Sequence, residues 1–290
     1  LDDALRPAQE IGYPVMLKST AGGGGIGLTR CADEDALRQA WDSVRRLGEQ
    51  FFSDAGVFVE RCIDKARHIE VQIFGDGKGR VVALGERDCS LQRRNQKVVE
   101  ETPAPNLPAA TRSALLAAAV ALGERVNYRS AGTVEFIYDA DRDAFYFLEV
   151  NTRLQVEHPA TECVTGLDLV ECMLRVAADE PIDWARLAQA PQGAAIEVRL
   201  YAESPLKNFQ PSPGVLTDVF FPDGVRIDSG VTTGSEVSAY YDPMIAKRNV
   251  HAATRREALD KFHEALKETR LHGMTTHPHY RSQLTSSAAL

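Results

Sequence analysis

The chain has 290 residues, 44% of them hydrophobic, enough to bury a large core and to build more than one domain or subdomain. Its 33 basic against 41 acidic residues give a net charge of −8, which excludes a bulk electrostatic case for nucleic-acid binding and requires any basic site to be local. No apolar run approaches the roughly 18 residues of a membrane-spanning helix, and five cysteines without C-x-x-C spacing fit reduced thiols in the cytoplasm better than a disulfide framework or a zinc site.

The chain does not open with Met, and Leu1 to Glu10 reads as the tail of a helix entering a strand at Tyr13 to Lys18, so a preceding N-terminal portion is expected. That strand ends in Lys18 and runs into Ala21-Gly22-Gly23-Gly24-Gly25-Ile26-Gly27. A glycine run lets backbone N–H groups approach an anion while the lysine adds a point charge, a phosphate-cradling pattern; a flexible linker is the plainer alternative. Lys18 precedes the glycines, which excludes a Walker A loop, and Gly25-Ile26-Gly27-Leu28-Thr29-Arg30 fails the dinucleotide fingerprint. Asp33 to Gln50 has helical spacing, with Ala36, Leu37, Ala40, Trp41, Val44 and Leu47 on one stripe. Strands follow at Val57 to Ile63, at His68 to Phe74 before a Gly75-Asp76-Gly77 turn, and at Arg80 to Gly85. His68 taken alone reads more often as a structural histidine than as a ligand.

Residues 86–101 form the dense polar and basic cluster of this acidic chain; a solvated face is the plainer alternative, but four cations bounded by acids favour a local site for a phosphorylated ligand. Pro103, Pro105 and Pro108 break the chain before an Ala- and Leu-rich helix at Ala110 to Val126. Thr133 to Tyr138 and Phe145 to Val150 then read as a hairpin centred on Arg142, which sets Glu135 opposite Glu149. Two carboxylates with Cβ atoms about 5 Å apart repel unless a cation lies between them. Carboxylate and Asn oxygens suit Mg²⁺, so Glu135, Glu149 and Asn151 are metal candidates. From Glu149 to Glu157 polar and apolar residues alternate, the pattern of an extended strand carrying Arg153, Gln155 and Glu157 on the same face. A core helix is expected at Gly166 to Asp179, a connector at Pro181 to Gly193, and a strand-rich final region from Ala194. Within it Thr254-Arg255-Arg256-Glu257 has the form of a capping box opening a helix to about Arg270.

Taken together, the Lys18 glycine loop, Arg67-His68-Ile69-Glu70-Val71-Gln72, Glu86-Arg87-Asp88-Cys89-Ser90-Leu91-Gln92-Arg93-Arg94, Gly132-Thr133-Val134-Glu135-Phe136, the run from Glu149 to Pro159 and Tyr241-Asp242-Pro243-Met244 resemble the biotin carboxylase family of ATP-grasp ligases over nearly the whole chain. The resemblance implies a mixed α/β (α+β) ATP-grasp fold. Its expected parts are a small lid subdomain at 1–61, a catalytic core on a larger antiparallel sheet at 62–193, and a biotin carboxylase C-terminal region at 194–290. Carried over residue by residue, it implies ATP contacts at Lys18, Gly24, Gly25, Glu60, Arg61, Cys62, Ile63, His68, Gln92 and Asn95. It implies a bicarbonate pocket at Lys97, Arg153, Gln155, Val156 and Glu157, with Glu157 as general base. Arg199 matches the residue that holds biotin as its enolate, and Glu135, Glu149 and Asn151 match the metal ligands for Mg²⁺ or Mn²⁺.

The implied reaction is attack of bicarbonate on ATP to form carboxyphosphate, followed by carboxylation of biotin. No Met-Lys-Met biotinylation site occurs, so biotin is expected on a separate carrier domain, with a carboxyltransferase region as further partner. Homo-oligomer formation fits the same reading, and neither nucleic acid nor membrane is expected as a partner. Asn95, where acyl-CoA-directed members carry His, Lys18 to Gly27 and Tyr128 to Gly132 look more like the urea carboxylase branch of the family. An acetyl- or propionyl-CoA-type carboxylase subunit and a non-catalytic ATP-binding fragment are the alternatives. Lys247-Arg248-Asn249-Val250 departs from the family, which continues an apolar strand there.

Overall fold

Asp33 opens the first long helix, its carboxylate accepting the N–H of Ala36 at 2.8 Å, in a computed structural model that describes residues 1–21, 27–93 and 96–276. The chain divides into two units, Leu1–Ala66 and Arg67–Leu290.

The first unit comprises α1 (Asp2–Ile11), β1 (Val15–Ser19), β2 (Leu28–Cys31), α2 (Glu34–Phe52) and β3 (Val57–Arg61). Its sheet has the order β2-β1-β3, both pairings antiparallel. Alternation along β1 buries Val15 and Leu17 against Leu37 and Val44 of α2 and turns Lys18 to the other face.

The second unit is built on an eight-stranded sheet of order β14-β16-β9-β6-β5-β4-β7-β8. In chain order it contains β4 (Ala66–Asp76), β5 (Val81–Arg93), β6 (Gln96–Thr102), α3 (Ala109–Arg125), β7 (Arg129–Asp139), β8 (Ala144–Asn151), α4 (His158–Thr165), α5 (Leu169–Ala177), α6 (Trp184–Leu187) and β9 (Ala194–Tyr201). The short strands β10 (Glu203–Ser204), β11 (Gln210–Pro211), β12 (Gly214–Val215) and β13 (Asp218–Phe220) follow. Then come β14 (Arg226–Ser229), β15 (Glu236–Val237), β16 (Met244–Ala252), α7 (Arg255–Glu268) and β17 (Arg270–His272). The large sheet takes strands from both sides of residue 193, since Val99 of β6 pairs with Val198 of β9. One core lies under α3, where Leu115 and Ala119 meet Ile69, Val71, Ile73 and Phe136. A second lies under α7, where Phe262 and Leu266 meet Val198 and Val250. The capping box is present: Thr254 Oγ1 accepts from Glu257 N and Glu257 Oε2 accepts from Thr254 N, each at 3.2 Å.

The polar cluster at 86–101 lies mostly in β5 and β6 among its described residues, with Arg87 fully buried, which sets aside the solvated-face alternative. Two expectations are corrected. The alternation from Glu149 to Glu157 is not one strand, because β8 ends at Asn151 and residues 152–157 turn into α4. Pro159 in the first turn and Gly166 at φ 67° as C-cap bound that helix, a start and stop pair that outweighs the strand-like alternation before it. Finally, β16 continues through Lys247-Arg248-Asn249 despite its polarity. Lys247 reaches the carbonyl of Val156, just ahead of α4, while Arg248 is fully buried and bonds Thr269 Oγ1 at the end of α7. Burial lowers the Arg248 guanidinium to about 10.

Candidate active site

The hairpin of β7 and β8 pairs Glu135 directly with Glu149, as its sequence centre requires. Toward the tip the register shifts by one residue between Glu135 and Phe136, which pairs with Phe147. Beside Glu135 on the sheet stand His68 and Glu70 of β4 and Lys97 of β6, and the turn from Asn151 into α4 brings Gln155 and Glu157 over them.

Lys97 is the hub. Its Nζ donates to Glu70 Oε2 at 2.5 Å, Glu135 Oε1 at 2.8 Å and Glu157 Oε1 at 2.7 Å. Arg199 of β9 holds the other oxygen of Glu157 at 3.0 Å and donates its Nε to Glu100 Oε1 at 2.8 Å. Glu157 is 2% exposed and thus lies between two cations, one oxygen on each. Below them Arg87 donates to Glu70 at 2.7 Å, Gln72 at 2.9 Å, Thr161 at 2.7 Å and Gln155 at 3.3 Å, which locks β4, β5, α4 and the turn together.

The charges are set by competition between burial and partners. Burial alone would raise the Glu70 carboxyl, but Arg87 and Lys97 outweigh it and hold it at about 2. Glu135 is likewise driven down to about 2 against burial by His68 and Lys97. Burial lowers a lysine, yet the surrounding acids hold Lys97 above its ordinary value. Glu100, fully buried and sharing the Arg199 guanidinium with Glu157, is pushed up to about 7. Its cross-strand partner Glu197 is raised well above the carboxylate range by burial and by Glu100.

Glu135, Glu149 and Asn151 offer two carboxylates and one amide, the hard oxygen set that suits Mg²⁺. Asn151 Nδ2 lies 2.9 Å from Glu135 Oε1, and Arg153 lies 3.4 Å from Asn151 Oδ1, so the three form one edge of the site. Glu149 sits opposite Glu135 without an ion pair among the described residues, a like-charge pairing that a divalent cation would relieve. His68, Glu70 and Glu135 also present ligand atoms within 4.8 Å of one another. Glu70, Cys89 and Glu157 do the same, but burial drives the Cys89 thiol far up, and Arg87 and Lys97 supply the positive charge there.

His68 and Gln92 join this group: His68 Nε2 is 3.0 Å from Glu135 Oε2, and Gln92 Nε2 is 3.2 Å from His68 Nδ1. Arg153 is the most exposed of the set. In the first unit Lys18 Nζ pairs with Glu60 Oε2 at 2.8 Å and lies over the Phe58 ring. Arg61 ends β3, and Cys62 N donates to Pro14 O at 3.2 Å, with Ile63 half-buried beside it. Gly24, Gly25 and Asn95 lie outside the described residues. The sequence reading did not single out Glu70, Arg87, Glu100 and Glu197 as site residues. Alternation could not mark them, because β4 buries Ile69 and Glu70 in succession and β9 is buried along its whole length.

A family described as "Carbamoyl-phosphate synthase L chain, ATP binding domain" matches residues 1–185, and one described as "Biotin carboxylase C-terminal domain" matches residues 197–290. Urea amidolyase of Saccharomyces cerevisiae is 56% identical over 287 residues, which cover 99% of this chain and 16% of that protein. The chain thus spans about a sixth of that relative's length. The crystal structure of the Kluyveromyces lactis urea carboxylase is 58% identical with a TM-score of 0.75, covering 77% of this chain and 20% of that one. The biotin carboxylase domain dimer of the Hydrogenobacter thermophilus 2-oxoglutarate carboxylase, solved with MgADP, ADP and bicarbonate, is 38% identical with a TM-score of 0.93 over 99% of this chain and 64% of that one. No helix among the described residues is long and apolar enough to cross a membrane. The chain belongs to the biotin carboxylase family of ATP-grasp proteins.

Proposed function

We propose that this chain, within a longer protein, performs the biotin carboxylase half-reaction, in which ATP, bicarbonate and biotin give ADP, phosphate and carboxybiotin, with urea as the final carboxyl acceptor. The observation that carries this reading is Glu157, held between Lys97 and Arg199 beside the Glu135–Glu149 pair. The two cations can hold an anionic substrate beside the carboxylate that takes its proton. Glu157 takes the proton of bicarbonate, and the freed oxygen attacks the γ-phosphorus of ATP as ADP leaves. Lys97 and Arg153 offset the charge that gathers between the two anions. Gln155 and Val156 line the bicarbonate side, and Arg199 faces biotin. Glu135, Glu149 and Asn151 would hold Mg²⁺ or Mn²⁺, which when bound neutralises phosphate charge. His68 and Gln92 are assigned to the nucleotide, as are Asn95, Lys18, Gly24 and Gly25 of a lid at 1–61, and the hinge at 60–63.

The MgADP and bicarbonate of the Hydrogenobacter neighbour support these ligands, and the 56% and 58% identities to urea amidolyase and urea carboxylase support urea. Carrier and carboxyltransferase regions are then the partners, and a homo-oligomer fits the dimeric neighbour. The full-length protein should form ADP in a bicarbonate-dependent reaction that free biotin stimulates. Glu157→Gln should lower that rate about 100-fold or more, with nucleotide binding retained. Labelled bicarbonate should pass to urea; transfer to an acyl-CoA instead would exclude urea as the acceptor.

A further inference from the structure

The base is held at its carboxylate, and the peptide that precedes it is held as well. Residues 152–157 lie outside the sheet, and the carbonyl of Val156, one peptide before Glu157, accepts a hydrogen bond from Lys247 Nζ of β16 at 2.8 Å. Lys247 is the cross-strand partner of Arg199, the residue that holds the Glu157 carboxylate at 3.0 Å. Two like charges side by side on a sheet repel unless each has its own counter-charge. Arg199 has Glu100 and Glu157; Lys247 has Asp228, its partner on β14, at 3.4 Å. Asp228 is gripped in turn by Arg226 at 3.0 and 3.2 Å, and Arg226 reaches Glu162 of α4 at 2.6 Å. The row Asp228–Lys247–Arg199 therefore crosses three strands beneath the start of α4 and ends on two consecutive residues of the turn.

We propose that Lys247 is a positioning residue for the base: it anchors the Val156 carbonyl while Arg199 orients the Glu157 carboxylate, a two-point clamp that fixes the bicarbonate side of the site. The role of Glu157 rests on the function proposed above, but the clamp itself is a statement about the turn. An aimed carboxylate is sensitive to small displacement, since about 1 Å of misplacement can cost on the order of 100-fold in rate. Loss of the Lys247 contact frees the peptide to rotate, while His68 and Gln92, which bond each other and not the turn, keep their places.

The test uses the full-length protein carrying Lys247→Met, Lys247→Arg or Asp228→Asn. Lys247→Met should raise the KM for bicarbonate about tenfold with less than a twofold change in the KM for ATP. Lys247→Arg should recover most of that loss, and Asp228→Asn should show a smaller rise of the same kind. Hydrogen exchange should speed up at the amides of residues 155–160 in Lys247→Met. An unchanged bicarbonate KM, or equal changes for both substrates, overturns the proposal. If Lys247→Met does not fold, Asp228→Asn decides by the same two readouts. If the wild-type protein shows no bicarbonate-dependent turnover, the functional reading fails, and unchanged exchange at 155–160 in the variants would separately sink the clamp.

Discussion

Lys97 touches three carboxylates and Arg199 two, so these two cations are already paired within the protein. Under the proposed function, bicarbonate enters by taking over a partner of Glu157. Buried charge of this kind is weak evidence for stability and good evidence for a site held in one geometry. It also sets opposite pH dependences. Glu70 lies at about 2 against an ordinary 4.5, so its contribution is present above 4.5 and lost as pH falls toward 2. Glu100 lies at about 7, so its contribution is full below 4.5 and lost as pH rises through 7. Glu100→Gln should accordingly reduce the decline in stability between pH 4.5 and 7.5 seen by denaturant unfolding, Glu197 supplying part of what is left; parallel wild-type and variant curves would refute the assignment. Glu149→Gln should raise the Mg²⁺ concentration needed for half-maximal turnover about tenfold, because it removes one carboxylate of the facing pair; an unchanged requirement would remove Glu149 from the metal set. Of these residues, the sequence made Glu135, Glu149 and Asn151 legible through hairpin symmetry, and Lys97, Glu157 and Arg199 through family resemblance. Glu100 and Glu197 were hidden, because nothing in one sequence tells a buried carboxylate on a strand from an exposed one until its neighbouring strands are known.

At the scale of elements, local chemistry decided most outcomes. The apolar stripe of α2 and the capping box of α7 formed as their spacing requires, since both signals act within a few residues. The turn at 152–157 was misread as strand because polar alternation there comes from side chains aimed into a site, not from a pleat. The long β5 was cut short because its charged residues are satisfied by distant partners such as Glu70, Thr161 and Glu203. Packing of α3 is the firmest element-scale dependence: Leu115 is fully buried in the cluster that includes Ile69 and Val71 of β4, the strand that carries His68 and Glu70. Leu115→Ala should cost about 3 kcal/mol of unfolding free energy, and a loss below about 1 kcal/mol in denaturant titration would contradict this packing.

For the whole molecule, a net charge of −8 coexists with a site proposed to recruit anions. Its cations are concentrated on three adjacent strands, β5, β6 and β9, so the local field is set by Arg87, Lys97 and Arg199 and not by the overall balance. The fold class was readable in the order of the motifs, whereas the continuity of the large sheet across residue 193 was not, since pairing of β6 with β9 joins residues about a hundred positions apart. Bicarbonate labelled with oxygen-18 tests most directly whether this site activates bicarbonate against ATP. With the full-length protein, ATP and free biotin, the released phosphate should carry one labelled oxygen, left by the bicarbonate oxygen that attacked phosphorus. Unlabelled phosphate released while ATP is cleaved would contradict the mechanism.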